Sequence, residues 1–403
     1  MNLFLKNIEE FNLQNKQYAQ KRKIISLLNK SEMPLTIPVI CQRVKMSIPT
    51  VTKLINEMYE AGVIVEAGKL ETESGRRPLQ YKVDTTYAYS IGVVILLKGL
   101  AVSVFDLNME KVCSAEDDSF VLENTQECLS YVISFIRKSL EDSGVSEGRI
   151  LGMGIGITGC VNSHTGKSYN YFDFPEVSLV NHFSNYFSFP VYLDNDTRVS
   201  GLAEQVFGKA IGRKNAFVVN LSRGLGLVMI SKGEIIEGEE SFAGEFGHIQ
   251  FGDSDRLCLC GKRGCLGTEV SGYALEQNFR EDILKGGKSL LSEQKNAESL
   301  QYEDILDAAM HGDALCISLV YNIGFRLGRA LGSMINLLNP GVIIIGGTFF
   351  PVRDILLDAI KAGMRHTALL LPLRSCEVIF SSLGSDAAVK GAGAIVLRKL
   401  KLI

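Results

Sequence analysis

The residues best suited to chemistry crowd into one short stretch, GEFGHIQFGDSDRLCLCGKRGCLG, residues 244–267. One imidazole and three thiols lie there within eighteen residues: His248, Cys258, Cys260 and Cys265. Three soft sulfur ligands and one nitrogen suit tetrahedral zinc, and four protein ligands make a structural site. Gly261 and Gly264 let the chain turn between the thiolates, whose charge Lys262 and Arg263 offset. We therefore predict structural zinc; buried or redox-active cysteines are the alternative.

Composition limits the class of protein that can hold such a site. The 403 residues are 46% hydrophobic and 22% charged, enough for two or three globular domains. We expect no membrane span, because no apolar run approaches about 18 residues. The N-terminus has acids where a signal peptide is apolar, so we expect a cytoplasmic protein. In a reducing cytosol, closely spaced cysteines more often bind metal than form disulfides.

The net charge of −3 hides an asymmetry between the two ends of the chain. Residues 1–85 carry 13 Lys and Arg against 9 Asp and Glu, whereas the remainder carries 29 against 36. A mildly basic N-terminal part on an acidic body suggests a nucleic-acid module, although four charges could equally be a solvated face.

The first 85 residues predict three short helices. YAQKRKIISLLNKSE has Ile24, Ile25, Leu27 and Leu28 at helical spacing. In the second helix Thr36 is a candidate cap, Pro38 lies in the first turn, and Val39, Ile40 and Val44 form an apolar face. The third helix is predicted from Ser47 to Ala61, with Ser47 as N-cap, and Gly62 ends it. Its apolar stripe is expected to be Ile48, Val51, Ile55 and Met58.

The opposite face of the third helix carries groups that suit a DNA major groove. These are short hydrogen-bonding side chains and one cation: Thr50, Thr52, Lys53 and Asn56, with Ser47 at the helix start. The segment VIVEAGKLETESGRRPLQYKVD then predicts strand, loop and strand, with Arg76 and Arg77 in the loop. This order is typical of a winged helix-turn-helix whose wing arginines reach a minor groove or phosphates. The alternative is a three-helix protein-interaction module with a solvated hairpin.

From Tyr87 onward, β-rich apolar runs with glycines alternate with helical stretches over about 300 residues. Examples are RILGMGIGITGCVN, NAFVVNLSRGLGLVMISKGEII and the helical TQECLSYVISFIRKSLEDSG. This alternation predicts an α/β body, residues 86–403, made of two lobes with a cleft between them.

Several of these segments resemble the ROK family of repressors, open reading frames and sugar kinases. They are GRRPLQY, GIGITGCVN, VYLDNDTRVSGLAE, GEFGHIQF, CLCGKRGCLG and NPGVIIIGG, spread over nearly the whole chain. The resemblance implies an actin-like ATPase fold preceded by a winged helix, an extension that regulators of the family have and its kinases usually lack. It also implies zinc on His248, Cys258, Cys260 and Cys265, in a loop at 245–265.

The family's sugar-binding residues map onto this chain with one departure. Asn195 and Asp196 match the Asn-Asp pair that holds sugar hydroxyls, the Asp being the general base in the kinases. Glu245 and His248 match further sugar ligands, because converging carboxylates, amides and imidazoles suit hydroxyl groups. Where the family usually has GCLE, whose Glu touches the sugar, this chain has Gly267; Glu269 is a possible substitute.

This chain departs further from the family's ATP-binding pattern than from its sugar-binding pattern. Where kinases have a pattern like GIDIGGTKIRVALVDL, residues 92–107 are GVVILLKGLAVSVFDL. Val94 replaces the acid that supports magnesium, Leu96 and Leu97 replace two phosphate-loop glycines, and Lys98 replaces the threonine. A second glycine loop survives in part as SRGLG, with Arg223 in place of threonine. Leucine side chains fill the space that phosphate oxygens need, so we expect no phosphoryl transfer.

Together these patterns predict a sugar-responsive transcriptional regulator, most simply a repressor of carbohydrate genes, with residues 1–85 as the DNA-binding domain. It would bind a sugar without phosphorylating it and bind double-stranded, palindromic operator DNA as a homodimer or homotetramer. Two alternatives remain at this point. One is a DNA-binding regulator with a vestigial pocket controlled by a protein partner, and the other is a sugar kinase with a DNA-binding extension.

Overall fold

A computed structural model describes residues 13–70, 77–174, 177–252, 255–296 and 299–403. The chain forms two compact units. The first comprises Met1–Val199 with Ala388–Ile403, and the second comprises Ser200–Ala387.

The helices of the described residues, in chain order, are α1 (Leu13–Asn29), α2 (Ile37–Val44), α3 (Ile48–Glu60), α4 (Gln126–Ser143), α5 (Leu179–Ser184), α6 (Asp196–Phe207), α7 (Gly272–Leu284), α8 (Leu290–Gln294), α9 (Tyr302–Met310), α10 (Ala314–Leu338), α11 (Arg353–Thr367), α12 (Leu370–Arg374) and α13 (Asp386–Lys399). The strands are β1 (Leu35–Thr36), β2 (Ile64–Lys69), β3 (Leu79–Val83), β4 (Tyr89–Ile95), β5 (Lys98–Phe105), β6 (Lys111–Val121), β7 (Ile150–Ile157), β8 (Val161–Asn162), β9 (Lys167–Ser168), β10 (Val191–Asn195), β11 (Ala216–Leu221), β12 (Leu225–Ser231), β13 (Glu234–Ile235), β14 (Val342–Gly346) and β15 (Glu377–Phe380).

The N-terminal part of the first unit has winged-helix architecture. Helices α1 to α3 precede an antiparallel sheet of order β1-β3-β2, in which β2 and β3 form the wing hairpin. Ser47 and Thr36 occupy the N-cap positions of α3 and α2, but neither side chain bonds to the helix backbone. The hydroxyl of Ser47 instead lies 2.8 Å from that of Thr50. Gly62 follows α3 with a φ of 75°, as expected of a helix-ending glycine.

The apolar face of α3 differs from the predicted stripe at one position. Val51, Leu54, Ile55 and Met58 are buried, whereas Ile48 is 59% exposed. The prediction for Ile48 was therefore wrong. Since Ile48 opens the helix, no preceding turn continues the buried face, and the i+3/i+4 spacing from Val51 selects Leu54 and Ile55 instead.

The rest of the first unit is a five-stranded sheet of order β10-β7-β4-β5-β6. Strands β10, β7 and β4 are parallel, and β5 and β6 continue the sheet antiparallel. Its core joins the sheet to α4 and α5 through Ile91, Val93, Leu129, Ile136 and Phe183. Helix α13 packs closely against glycine positions of the sheet: a side chain on Gly154 would overlap the carbonyl of Ala392.

The second unit repeats this strand order. Its sheet is β13-β12-β11-β14-β15, in which β11, β14 and β15 are parallel and β12 and β13 antiparallel. In each unit a three-stranded antiparallel meander is followed by two strands that add parallel to its first strand. The second core joins β11 and β14 to α7, α9, α10 and α11. Both units are mixed α/β, so the predicted fold class is confirmed.

Helix α10 departs from the expectation that nothing in the chain could span a membrane. Among the described residues it is the one helix long and apolar enough to do so by length and composition. Half of its most apolar 18-residue window is buried inside the protein. Ile323, Leu327, Leu331 and Ile335 lie in the core of the second unit, which accounts for the helix's apolar composition.

Candidate functional site

The four predicted metal ligands come together in the second unit. The side-chain nitrogen or sulfur atoms of His248, Cys258, Cys260 and Cys265 all lie within 4.8 Å of one another. Cys258 Sγ is 3.5 Å from His248 Nδ1, and Cys260 Sγ is 3.6 Å from Cys265 Sγ. Zinc bonds of about 2.0–2.3 Å in a tetrahedron place neighbouring donor atoms about 3.3–3.8 Å apart. The donor set and its spacing therefore fit a tetrahedral metal ion.

Short backbone contacts hold these ligands in place. Cys258 N–H donates to Lys262 O over 2.8 Å, and Gly261 N–H donates to Cys258 O over 2.9 Å. Gly261 and Gly264 have φ values of 83° and 73°, a region that L side chains rarely adopt. The isolated bridge between Gln250 and Cys265 ties the end of this loop to the segment after His248.

The thiols of the cluster differ in acidity. A hydrogen bond to the backbone of Lys262 is the main cause that lowers the pKa of Cys260 to about 7, whereas burial raises the pKa of Cys265 to about 12. Cys260 is exposed, and Cys265 is fully buried. Burial therefore disfavours the Cys265 thiolate, and a bound metal cation would compensate its charge.

Glu245 and His248, two predicted sugar ligands, lie beside the cluster. His248 Nε2 is 3.9 Å from Glu245 Oε2, and both side chains are about two-fifths exposed, at 43% and 40%. Because Nδ1 of the same ring faces Cys258, the imidazole can serve the metal with one nitrogen and turn the other towards Glu245.

Gly267 and Glu269 do not restore the missing sugar ligand. An added Cβ on Gly267 would lie 3.1 Å from Gly247 O, so a side chain there requires the neighbouring backbone to shift by a few tenths of an ångström. Glu269 is buried, and its carboxylate pairs with Arg326 on α10. The suggested substitution by Glu269 is therefore unsupported, because its charge is already neutralised inside the second unit.

Asn195 and Asp196, the other predicted sugar ligands, lie where β10 ends and α6 begins. Asn195 Oδ1 accepts from the N–H groups of Thr197 (2.9 Å) and Arg198 (3.2 Å), and its Nδ2 donates to Gly159 O over 3.0 Å. Asp194 and Arg198, four residues apart, form an ion pair of 2.5 Å around this turn. The DNDTR spacing could have revealed that pair, which the sequence analysis missed.

The residues that replace the kinase phosphate loop lie in the hairpin between β4 and β5. Val94 is buried between Ala101 of β5 and Gly156 of β7. Leu96 N–H donates to Gly99 O over 3.0 Å, so the turn is closed by the chain itself. Leu96 is 38% exposed and Lys98 is exposed. The turn thus presents two leucines and one cation.

The second glycine loop, between β11 and β12, is held by an ion pair. Arg223 Nη1 lies 3.0 Å from Glu276 Oε1 on α7, and Glu276 also accepts from Tyr302 N–H over 3.1 Å. Gly272 and Tyr273 N–H groups donate to the carbonyls of Ser222 and Arg223. Sequence reasoning identified Arg223 but not Glu276, because 53 residues separate the two.

The predicted DNA-contacting face of α3 is accessible. Ser47, Lys53 and Asn56 are exposed, and Thr50 and Thr52 are half-buried. The Lys53 side chain is 66% exposed and lies 3.9 Å from Glu57. Arg77 is exposed ahead of β3, whereas Arg76 lies outside the described residues. Ile48, exposed at the start of the helix, is an apolar group that the sequence analysis had assigned to the core.

Comparisons with known proteins agree with the architecture. The ROK family model matches residues 91–399. The chain belongs to the ROK family. It is 24% identical over 363 residues to the xylose repressor of Caldicellulosiruptor bescii, covering 89% of this chain and 90% of that protein. It is 27% identical over 371 residues to the DNA-binding transcriptional dual regulator NagC of Escherichia coli, covering 91% and 89%.

Kinases of the ROK family match a shorter part of the chain. A glucokinase of Halalkalibacterium halodurans is 32% identical over 266 residues, covering 64% of this chain and 80% of that enzyme. The crystal structure of a ROK transcriptional regulator, a homologue of the E. coli MLC protein, superposes with a TM-score of 0.81 at 24% identity, covering 96% of this chain and 97% of that one. The winged helix is therefore part of what this chain shares with regulators of the family.

Proposed function

We propose that this protein is a sugar-responsive, DNA-binding transcriptional regulator, a repressor of carbohydrate uptake or catabolism genes. One observation carries the proposal: a winged helix precedes a ROK body, and repressors match this combination over about nine-tenths of their length. Binding of the sugar changes operator affinity because the sugar favours one conformation of the protein over another.

Residues 1–85 form the DNA-binding domain in this proposal, and residues 86–403 form the body with its zinc loop at 245–265. Helix α3 enters the major groove with Ser47, Thr50, Thr52, Lys53 and Asn56, while Arg76 and Arg77 of the wing reach phosphates or the minor groove. Exposed Ile48 adds an apolar side chain that can contact the methyl group of a thymine. The operator is double-stranded and palindromic, so the protein acts as a homodimer or homotetramer. It works in the cytoplasm.

The sugar is bound by Asn195, Asp196, Glu245 and His248. Their carboxylate, amide and imidazole groups both accept from and donate to hydroxyls. His248 belongs to both the sugar site and the metal site. Together with Cys258, Cys260 and Cys265 it holds structural zinc. The ion, when bound, neutralises the thiolates and fixes this loop. Glu245 and the free edge of the imidazole are thereby held in one orientation.

Phosphorylation of the sugar is not part of the proposed function. Phosphoryl transfer depends on positioning and on charge neutralisation by backbone donors and metal. The β4–β5 turn offers Leu96 and Leu97 where the family's kinases have glycines, and Val94 supplies no carboxylate. These replacements support our proposal of a regulator without phosphoryl-transfer activity.

A second candidate function is a DNA-binding regulator with a vestigial sugar pocket, controlled by a protein partner. Gly267 favours it, since this position lacks the family's sugar-touching Glu.

The test begins by selecting duplexes from a random-sequence pool with the full chain. Gel shifts on the selected duplex then include D-xylose, N-acetylglucosamine or D-glucose, and calorimetry measures binding of each sugar to the free protein. We expect Lys53→Ala to weaken DNA binding and flatten its salt dependence, whereas Lys138→Ala, an exposed cation on α4, should change neither. Failure to enrich any duplex contradicts DNA binding. DNA binding without a response to any of the sugars favours the partner-controlled alternative.

A further inference from the structure

The three cysteines of the metal cluster differ in how easily solvent reaches them. Cys260 is exposed, Cys258 is partly buried, and Cys265 is fully buried. Leu259, the residue between the first two, is 94% exposed, so the tip of this loop projects into solvent. A small oxidant dissolved in water therefore reaches Cys260 before it reaches Cys265.

A second thiol lies within reach of the exposed one. Cys260 Sγ is 3.6 Å from Cys265 Sγ, so the two sulfurs need to approach by less than about 2 Å to form a disulfide bond of about 2.0 Å. The chain between them turns at Gly261 and Gly264, whose φ values are 83° and 73°. An added Cβ on Gly261 would meet no heavy atom within 4 Å, so the turn has open space beside it. The loop thus places a resolving thiol next to the thiol that an oxidant meets first.

The position of Cys258 makes it a less suitable partner for Cys260. Cys258 Sγ lies 3.5 Å from His248 Nδ1, and the Cys258 carbonyl accepts Gly261 N–H over 2.9 Å, which closes a short turn. Only one residue separates Cys258 from Cys260, so a disulfide between them would close a much smaller ring than one between Cys260 and Cys265. Ring strain therefore favours Cys265 as the partner.

We propose that Cys260 and Cys265 form a peroxide-sensitive dithiol, an oxidation site whose disulfide state releases zinc. The proposal goes beyond the proposed function, and it rests on that function's zinc assignment only for the release of the ion. All four candidate ligands belong to the second unit.

Hydrogen peroxide is the oxidant, and both steps are displacements at an electrophilic atom. The Cys260 thiolate attacks one peroxide oxygen, the O–O bond breaks, and hydroxide leaves as the sulfur becomes a sulfenic acid. The Cys265 thiolate then attacks the Cys260 sulfur; the S–O bond breaks, the S–S bond forms, and a second hydroxide leaves. Each hydroxide takes up a proton from solvent. One peroxide is thereby reduced to two waters while two thiolates are oxidised to one disulfide.

Oxidation removes two of the four candidate ligands at once. Cys258 and His248 remain, and two ligands hold zinc far more weakly than four. His248 Nε2 lies 3.9 Å from Glu245 Oε2, so a loop freed from zinc also loosens the pair that the proposed sugar site uses. Reduction of the disulfide restores both thiols, which makes the change reversible.

The first test follows thiols and metal separately in the full chain. Zinc-loaded protein is treated with hydrogen peroxide, a chromogenic chelator measures released zinc, and peptide mass spectrometry maps disulfides. We expect a Cys260–Cys265 disulfide to form together with zinc release, and dithiothreitol with added zinc to reverse both. A Cys258–Cys260 disulfide, or a sulfinic acid on Cys260 without a disulfide, contradicts the proposal. Fresh protein without zinc contradicts the zinc assignment, whereas the disulfide map still decides which thiols pair.

The second test uses two variants that keep four ligands and differ in which thiol is missing. Cys258→His retains Cys260 and Cys265 and should form the disulfide at the wild-type rate. Cys260→His removes the exposed thiol and should slow peroxide-driven zinc release by about tenfold or more. Cys376→Ser, outside the cluster, should match the wild type. Equal release rates for Cys260→His and the wild type overturn the proposal. If the histidine variants bind no zinc, the wild-type disulfide map alone decides.

Discussion

Most of the hydrogen-bonding capacity of the Asn195 side chain is satisfied within the protein itself. Both lone pairs of Oδ1 accept backbone N–H groups of α6, and one hydrogen of Nδ2 goes to Gly159 O. In the proposed sugar site, the second Nδ2–H of Asn195 is the group that can donate to a sugar hydroxyl. Asn195 would then contribute a single directed donor, and Asp196 would accept the sugar hydroxyl protons.

Asp196→Asn should consequently weaken sugar binding by about tenfold or more, because a charged acceptor becomes a neutral one. Isothermal titration with the sugars that affect the wild type measures the change. Asp142→Asn, an exposed carboxylate near the end of α4, is the matched control. Equal affinity for wild type and Asp196→Asn would remove Asp196 from the sugar site.

Cys260→Ser should abolish stoichiometric zinc. We expect the wild type to hold about one zinc ion per chain. In the variant, the three remaining ligands leave one side of the ion open to solvent and retain it poorly. Elemental analysis of dialysed protein gives the metal content, and thermal unfolding should show a lower midpoint for the variant. Cys376→Ser, outside the cluster, should match the wild type in both. Fresh wild-type protein without zinc would refute the assignment.

The cluster was predictable because its ligands are neighbours in sequence. Cys258, Cys260 and Cys265 need only a tight loop to converge, and the glycines that permit the loop are visible between them. The partner of Arg223 was not predictable. Glu276 lies 53 residues away, and no local pattern marks it as the buried carboxylate that pairs with this arginine.

Among the elements, α10 depends on one capping residue. Asp313 is 5% exposed; its Oδ1 accepts Cys316 N–H over 3.0 Å, and its Oδ2 accepts Ser289 Oγ–H over 2.7 Å and Leu290 N–H over 2.8 Å. Burial acts to raise the pKa of Asp313, but these hydrogen bonds outweigh it and leave the pKa below its ordinary value. The carboxylate thus joins the start of the long core helix to the segment before α8.

Asp313→Ala should destabilise the protein by about 2 kcal/mol near neutral pH, since it removes a cap and leaves buried donors unpaired. Because the folded pKa is depressed, the stabilisation is fully present above the unfolded pKa of about 3.9 and is lost as pH falls through the lower folded value. Urea unfolding from pH 7 down to pH 3 should show the difference shrinking below about pH 4. Asp354→Ala, 92% exposed on its side chain, is the control. A difference that persists undiminished in acid would exclude ionisation of the Asp313 carboxylate as its cause.

The sequence predicted where α3 begins and ends, but it did not predict correctly which residues of its first turn are buried. Helix α3 lies at 48–60, within the predicted span from Ser47 to Ala61, because Pro49 and Gly62 delimit it. Ile48 shares the 3.6-residue period of the buried stripe yet lies outside the core, since periodicity does not reveal whether a first turn is covered.

At the scale of the whole molecule, the proposed function excludes the phosphoryl transfer that the family's kinases perform. We expect no sugar-dependent ADP release from the full chain with hexoses, pentoses or amino sugars. A coupled ADP-release assay, with a ROK glucokinase as positive control, provides the measurement. Turnover near the usual kinase range of about 1–100 s⁻¹, abolished by Asp196→Asn, would overturn the regulator-only proposal.

The repeated strand order of the two units places the two altered glycine loops in equivalent turns. The β4–β5 and β11–β12 turns occupy equivalent positions in their sheets, and each is held by its own residues: the Leu96–Gly99 backbone hydrogen bond in the first, the Arg223–Glu276 pair in the second. Replacing Leu96 and Leu97 with glycine would leave the Arg223–Glu276 pair intact. Rebuilding both glycine loops of the family's kinases would therefore require independent changes in two separate sheets.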